Sequence, residues 1–230
     1  MRHAIFTLLA TLCAAQPAFD AATIKPSKDT PGHRGWHSTT GAVLLTGQTL
    51  KSLTAIAYGV QDYQVFGGPK WADSDRFDIN AKSAGPAGDP ELLLMLRTLL
   101  TERFQLAFHH EQKIEPAYAL VAAKSGLKIA PVEATGSKSQ SSRAKIFAQG
   151  ISMAKFAEIL ARRVNAPVND LTNAPGVYNI DLEWSLDGDD NDRLSAIFDA
   201  LQRNLGLKLE SRKLPVDVLV IDKAEKPSDN

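Results

Sequence analysis

Residues 49–81, TLKSLTAIAYGVQDYQVFGGPKWADSDRFDINA, carry two rhythms of apolar and polar positions. Leu50, Leu53, Ile56, Ala57 and Val60 recur at helical spacing, which predicts an amphipathic helix with Thr49 as its N-cap. Gly67, Gly68 and Pro69 mark a turn, after which Phe77, Ile79 and Ala81 alternate with Asp78 and Asn80 as one face of a strand. The succession returns downstream: Met153, Phe156, Ile159, Leu160 and Val164 give a helix, Pro175-Gly176 a turn, and Tyr178, Ile180 and Leu182 a strand. Leu50 to Phe77 spans 27 positions and Met153 to Tyr178 spans 25. A second block repeats too. Leu100, Phe104, Leu106 and Phe108 match Leu201, Leu205, Leu207 and Leu209 at a constant offset of 101, and Pro116 with AYALVA matches Pro215 with VDVLVI at an offset of 99. The pattern reads as an α+β protein built by tandem duplication of a small helix–strand–helix–hairpin unit. An isolated helix of about 12 residues is marginal, so its apolar stripe is expected to lie on a mixed or antiparallel sheet.

Taken in order, Phe19–Ile24 predicts a strand ended by Pro26, Ser27–Thr40 a polar loop, and Ala42–Leu45 a second strand. Asp89 is expected to cap a helix with Pro90 in its first position and a stripe of Leu93, Leu96, Leu100 and Phe104, leaving Arg97 outward. Gln105–His109 predicts a strand, followed by a hairpin-length gap ending at Pro116 and a strand over Ala117–Ala122. The Ser- and Lys-rich stretch 131–145 reads as a linker, and the tail after Asp222 as frayed. These readings divide the chain into a leader over 1–15, a first repeat over 16–130, the linker over 131–145 and a second repeat over 146–230.

The leader follows from its own pattern: Arg2 and His3 precede the apolar run Ala4–Leu12, and the small residues Cys13, Ala14 and Ala15 follow. That is the plan of a secretory signal peptide cleaved near Ala15-Gln16, and it places the mature protein in the periplasm or outside the cell with no integral membrane segment. Leu12 is too bulky for a lipid-anchor signal at Cys13, the one cysteine of the chain. Of 230 residues, 44% are hydrophobic and 23% charged, which fits packed cores. Equal numbers of basic and acidic residues, 26 each, argue against a nucleic-acid partner.

Candidate chemistry clusters in two places. Asp73, Asp75, Arg76 and Asp78 lie beside Trp71 and the Gly67-Gly68-Pro69 turn, a composition that suits sugar binding or a glycosidase-like acid pair. The structural alternative is that Asp75 and Arg76 pair locally or face solvent while Trp71 covers a sheet edge. His109, His110 and Glu111 form the second cluster, which His33 and His37 would have to join to hold a metal. Adjacent histidines in a strand point to opposite faces, so polar residues at a strand end explain them as well. Asp187, Asp189 and Asn191 occupy the first calcium-loop positions, but the sixth is Asp192 instead of Gly and the twelfth is Phe198 instead of Glu; Asp192 suits the N-cap of the next helix better. Zincin, nucleophile-elbow, phosphate-loop and dinucleotide signatures are absent. The expectation is therefore no catalytic residue, no metal and no cofactor, with Trp71, Asp73, Asp75, Arg76, His109 and His110 as the candidate binding surface.

LTAIAYGVQDYQVFGGPKWADSDRFDINAK, RTLLTERFQLAFHHE, PAYALVAAKSG and the ending LPVDVLVIDKAEKPSDN together resemble an uncharacterised soil-associated secreted protein family, abundant in acidobacteria. The likeness runs from FDAATIKPS to the C-terminus and implies export and a domain of unknown function, with no catalytic residues to carry over. The C-terminal copy, from ISMAKFAEILARRVNAPV through VDVLVID, also resembles the short N-terminal domain of secretins and TonB-linked receptors, modules that work through protein contacts. The leading expectation is an exported, noncatalytic binding or interaction module that pairs through a sheet edge with an envelope protein. The alternatives are an envelope hydrolase acting on polysaccharide or peptide, and the sensor portion of an envelope signalling system.

Overall fold

The computed structural model describes residues 16–28, 34–133, 136–186 and 190–228; the expected leader and His33 lie outside them. The fold is α+β, and the chain forms two compact units. One comprises the residues up to His109 together with those from Val220 onward, and the other comprises His110–Leu219.

The first unit runs β1 (Ala21–Pro26), β2 (Gly35–Thr39), β3 (Ala42–Thr49), α1 (Leu50–Tyr58), β4 (Val65–Gly67), α2 (Trp71–Ser74), β5 (Arg76–Lys82), α3 (Asp89–Phe104) and the start of β6 (Ala107–Ala122). Its antiparallel sheet has the order β1-β5-β3-β2. Local chemistry sets the boundaries. The Thr49 hydroxyl oxygen accepts the Ser52 N–H at 3.2 Å as the sequence predicts, and α1 stops where Gly59 adopts φ 71°. A bulge at Gly47 is held by its N–H donating to the Asp78 carboxylate at 2.8 Å. Phe77, Ile79 and Ala81 meet Leu50, Leu53, Leu96, Leu100 and Phe104 in one core.

The second unit takes the rest of β6, then β7 (Lys138–Ser141), β8 (Lys145–Ile151), α4 (Met153–Val164), β9 (Val168–Asp170), β10 (Tyr178–Glu183), α5 (Asp190–Ala200) and the greater part of β11 (Leu207–Lys223). Its sheet order is β10-β8-β7, and β9 lies parallel to β6 with Tyr118 opposite Val168. The devices of the first unit recur here. Ser152 caps α4 by accepting the Lys155 N–H, and Gly150 donates to Asn179 at 3.1 Å, where Gly47 donates to Asp78. Phe156, Leu160, Ile180, Leu182, Leu201 and Leu205 are buried together.

Several expectations need correction. Gly35–Thr39 is an edge strand and not part of a loop, and the 131–145 stretch contains β7. The closing hairpins do not exist: β6 and β11 are single strands of 16 and 17 residues that continue through Pro116 and Pro215. α3 is capped by Gly88, so Pro90 stands second in the helix. Arg97 does not face outward; its Nε donates to the Ala57 carbonyl at 2.7 Å and its guanidinium lies over the Tyr58 ring. α5 begins at Asp190, so Asp192 sits inside its first turn, while residues 187–189 of the calcium-like run fall outside the described residues. The tail is also not frayed at Asp222, because Ile221 is 3% exposed in the core of the first unit and the Glu225 N–H donates to Phe104 at 2.7 Å.

Gly67 makes that return possible. It has φ 70°, and a β-carbon on it would lie 2.6 Å from the Ile221 carbonyl oxygen, whereas Gly59 has the same backbone with nothing within 4 Å. Gly59→Ala should therefore cost only the left-handed penalty of about 1 kcal/mol. Gly67→Ala should cost roughly twice that or more, because it also pushes β11 away. Urea unfolding of the two variants side by side checks the difference.

Candidate functional site

Five of the six candidate residues fall in the first unit, and three of them hold the returning C-terminal segment. Trp71 opens α2 one residue after the Gly67-Gly68-Pro69 turn, with Lys70 between them. Its ring stacks on Phe104 with centroids 6.4 Å apart and meets Phe77 edge-on at 6.2 Å, and the Lys226 ammonium lies 5.9 Å from the same ring. Lys226 Nζ donates to Asp75 at 2.6 Å. That hydrogen bond, assisted by the Ser74 hydroxyl, holds the Asp75 carboxyl below the usual carboxylate range. His109 Nδ1 stands 2.9 Å from the Asp222 carboxylate. The Gly68 N–H donates to the Ile221 carbonyl at 2.9 Å and lays the end of β11 beside β4.

Asp73 and Arg76 do something else: they line an open cleft of about 430 Å³ on this unit, with Arg34, Lys51, Asp62 and Tyr63 among the other walls. Asp73 accepts from Lys51 Nζ at 2.8 Å, Asp62 from Arg34 Nη1 at 2.5 Å, and Arg76 Nη1 donates to the Gly47 carbonyl at 2.7 Å. Asp75 and Arg76, for which local pairing is one of the two readings the sequence allows, turn to different partners. His110, next along β6, is exposed and belongs to the second unit.

This arrangement fixes what the carboxylates can do. A glycosidase pair needs one carboxylic acid whose pKa is raised so that it can give up a proton to the leaving group. Asp75 is shifted the opposite way, and Asp73 and Asp75 each face a different lysine. In this arrangement the two carboxylates serve as partners of Lys51 and Lys226. The sequence reading missed Lys226 and Asp222, which lie far from their partners in sequence. It also missed the cleft residues Arg34, Lys51, Asp62 and Tyr63. One signal was available: Lys51 stands in the first turn of a predicted helix, where the helix dipole disfavours a cation.

A family described as a protein of unknown function (DUF3738) matches residues 51–224. No curated protein and no solved structure matches the chain.

The Asp75–Lys226 bond predicts how the tail responds to acid. A carboxyl whose folded pKa is depressed contributes its hold above the unfolded value and loses it as pH falls through the folded one. Contacts of Ala224–Lys226 should therefore persist at about pH 5 and be lost only below the ordinary carboxylate value of about 4. Asp75→Asn should loosen these residues at neutral pH while leaving Ile221 buried. Amide NMR shifts of residues 221–226 across a pH titration report both outcomes.

Proposed function

Because the chain belongs to the DUF3738 family, whose members share a domain of unknown function over residues 51–224 here, we propose that it is an exported, noncatalytic binding module that engages an envelope protein by strand pairing. The observation that carries this reading is the end of β11. An extended segment is received beside β4 through backbone contacts at Gly68 and is then fastened by Trp71, Asp75 and His109. A fold that completes itself in this way is suited to taking a partner's strand in the same manner. The strand order shared by β5-β3-β2 and β10-β8-β7, with the bulges and caps of the two units, supports their origin in one duplicated motif. The depressed Asp75 pKa weighs against a hydrolase at this segment.

β2 is an available edge, since among the described residues no strand lies outside it. Thr39 and Ala42 face each other across a two-residue turn, so they exchange hydrogen bonds, and Ser38 turns its N–H to the open side. A photo-crosslinking residue at Thr39 in cells that export the protein should capture one defined envelope protein. Ser38→Pro should abolish that capture without lowering thermal stability. Turnover of a polysaccharide or peptide library that Asp75→Ala abolishes would sink the noncatalytic reading, and retention of the protein in the cytoplasm would sink export.

A further inference from the structure

From Pro17 onward the chain is tied to the first unit. The Thr98 hydroxyl of α3, on a residue only 8% exposed, donates to the Pro17 carbonyl at 2.8 Å. Phe19 packs half-buried against the core of that unit, and the Asp20 N–H donates to the Lys82 carbonyl at 2.9 Å just before β1 begins its pairing with β5. β1 is an edge strand, since among the described residues no strand lies outside it. Three ties therefore hold the outer strand of the sheet, and all of them fall within the five residues that follow Ala15.

Gln16 stands immediately before the first tie. It is exposed, and among the described residues its side-chain amide has no hydrogen-bond partner. The leader pattern, with Arg2 and His3, the apolar run Ala4–Leu12 and the small residues Cys13, Ala14 and Ala15, predicts cleavage between Ala15 and Gln16. That cleavage turns the backbone nitrogen of Gln16 from an amide into a primary amine. An α-amine has an ordinary pKa of about 8, so a fraction of it is neutral and nucleophilic at neutral pH. The amine and the side-chain carbonyl belong to one residue, and their reaction gains the high effective concentration of a tethered pair.

We propose that Gln16 is a modification site at which the mature chain closes into pyroglutamate. The neutral α-amine attacks Cδ of its own side chain, the N–Cδ bond forms and the Cδ–Nε2 bond breaks. One ammonia leaves with the proton that the amine gives up, so the step needs no oxidant, reductant or co-reactant. The product is a five-membered lactam without charge. The fold favours this ring over its competitor. Attack of the same amine on the Pro17 carbonyl would cut the chain after that residue, but Thr98 holds this carbonyl and the Phe19 and Asp20 ties hold the backbone beyond it. The exposed Gln16 amide has no such restraint among the described residues. A lactam offers no α-ammonium to an aminopeptidase, and so it guards the residues that keep β1 in place. The proposal rests on the export reading for the cleavage that creates the amine, and it does not depend on strand pairing.

The test uses the full chain, expressed with its leader in cells that export it, then purified and held at neutral pH. Amines are dimethylated on the intact protein before digestion, and the N-terminal peptide is read by tandem mass spectrometry. Labelling first separates cyclisation in the protein from cyclisation during handling. Apart from the labels on its lysines, the peptide should begin at residue 16, be lighter than its sequence by one ammonia located at Gln16, and carry no label on its α-nitrogen in most chains. Gln16→Ala should begin at the same position, carry the α-label in full and melt at the same temperature, since the side chain it removes is exposed. A wild-type peptide that begins at Gln16 with its α-amine labelled would overturn the proposal and leave export standing, and so would a start at any other residue of the mature chain. Loss of ammonia that persists in Gln16→Ala would overturn the assignment to this residue. A chain that keeps its leader would overturn export and the proposal together.

Discussion

The first unit is not closed until the far end of the chain returns to it. Ile221 fills a place in its core, and the carbonyl of the same residue accepts the Gly68 N–H, although Gly68 and Ile221 are 153 positions apart. If the intervening chain were disordered, closing a loop of that length would cost about 4 kcal/mol by chain statistics. One buried isoleucine contributes roughly 1.5–3 kcal/mol, so its burial alone does not offset that cost. Folding of His110–Leu219 before or with the docking shortens the effective loop and removes most of the penalty. The aromatic group of Trp71, Phe77 and Phe104 then meets a segment already brought near.

The two units offer an internal comparison between what the fold requires and what it merely carries. Both use a glycine bulge whose N–H is caught by a side chain of the neighbouring strand, a hydroxyl cap three residues before a helical N–H, and a strand with three buried alternate residues. These shared features involve backbone geometry and apolar volume, and the side chains serving them differ freely, Asp78 against Asn179 and Thr49 against Ser152. Arg34, Lys51, Asp62, Asp73 and Arg76 have no such counterparts among those shared features. Their bonds are mostly exposed pairs of the kind that contributes on the order of 0–1 kcal/mol, which leaves stability a poor explanation for gathering them.

How far the sequence discloses this structure depends on which contacts are local. α1, α4, β5 and β10 are legible because each buries one face and so prints its period into the chain. β2 and β7 are not, since GWHST and KSQS are edge strands in which no residue is fully buried, and such strands need no apolar alternation. β6 and β11 were misread because Pro116 and Pro215 signal a break by propensity, yet a proline that owes no hydrogen bond to the ladder is tolerated within a strand. Trp71, Asp75 and His109 were recognisable as unusual, but their partners Lys226 and Asp222 arrive from the other end of the chain. No local pattern specifies that meeting. The cleft joins residues from the start of α1, β4, α2, β5, the turn before β4 and the stretch before β2, and no local pattern specifies that meeting either.

Arg76 has a further consequence, because it borders two depressions at once. It lines the charged cleft, and it also lines a smaller recess of about 300 Å³ with Asp75, Lys226 and Pro227. Its guanidinium holds the Gly47 carbonyl on the cleft side, while the Asp75 carboxylate on the recess side is held by Lys226. The hold of Lys226 on Asp75 is a solvent-exposed ion pair and so falls with salt, while the part of the tail anchored by Ile221 stays in place. The end of the described chain thus has two grades of attachment, an apolar one buried in the core of the first unit and a polar one at its surface.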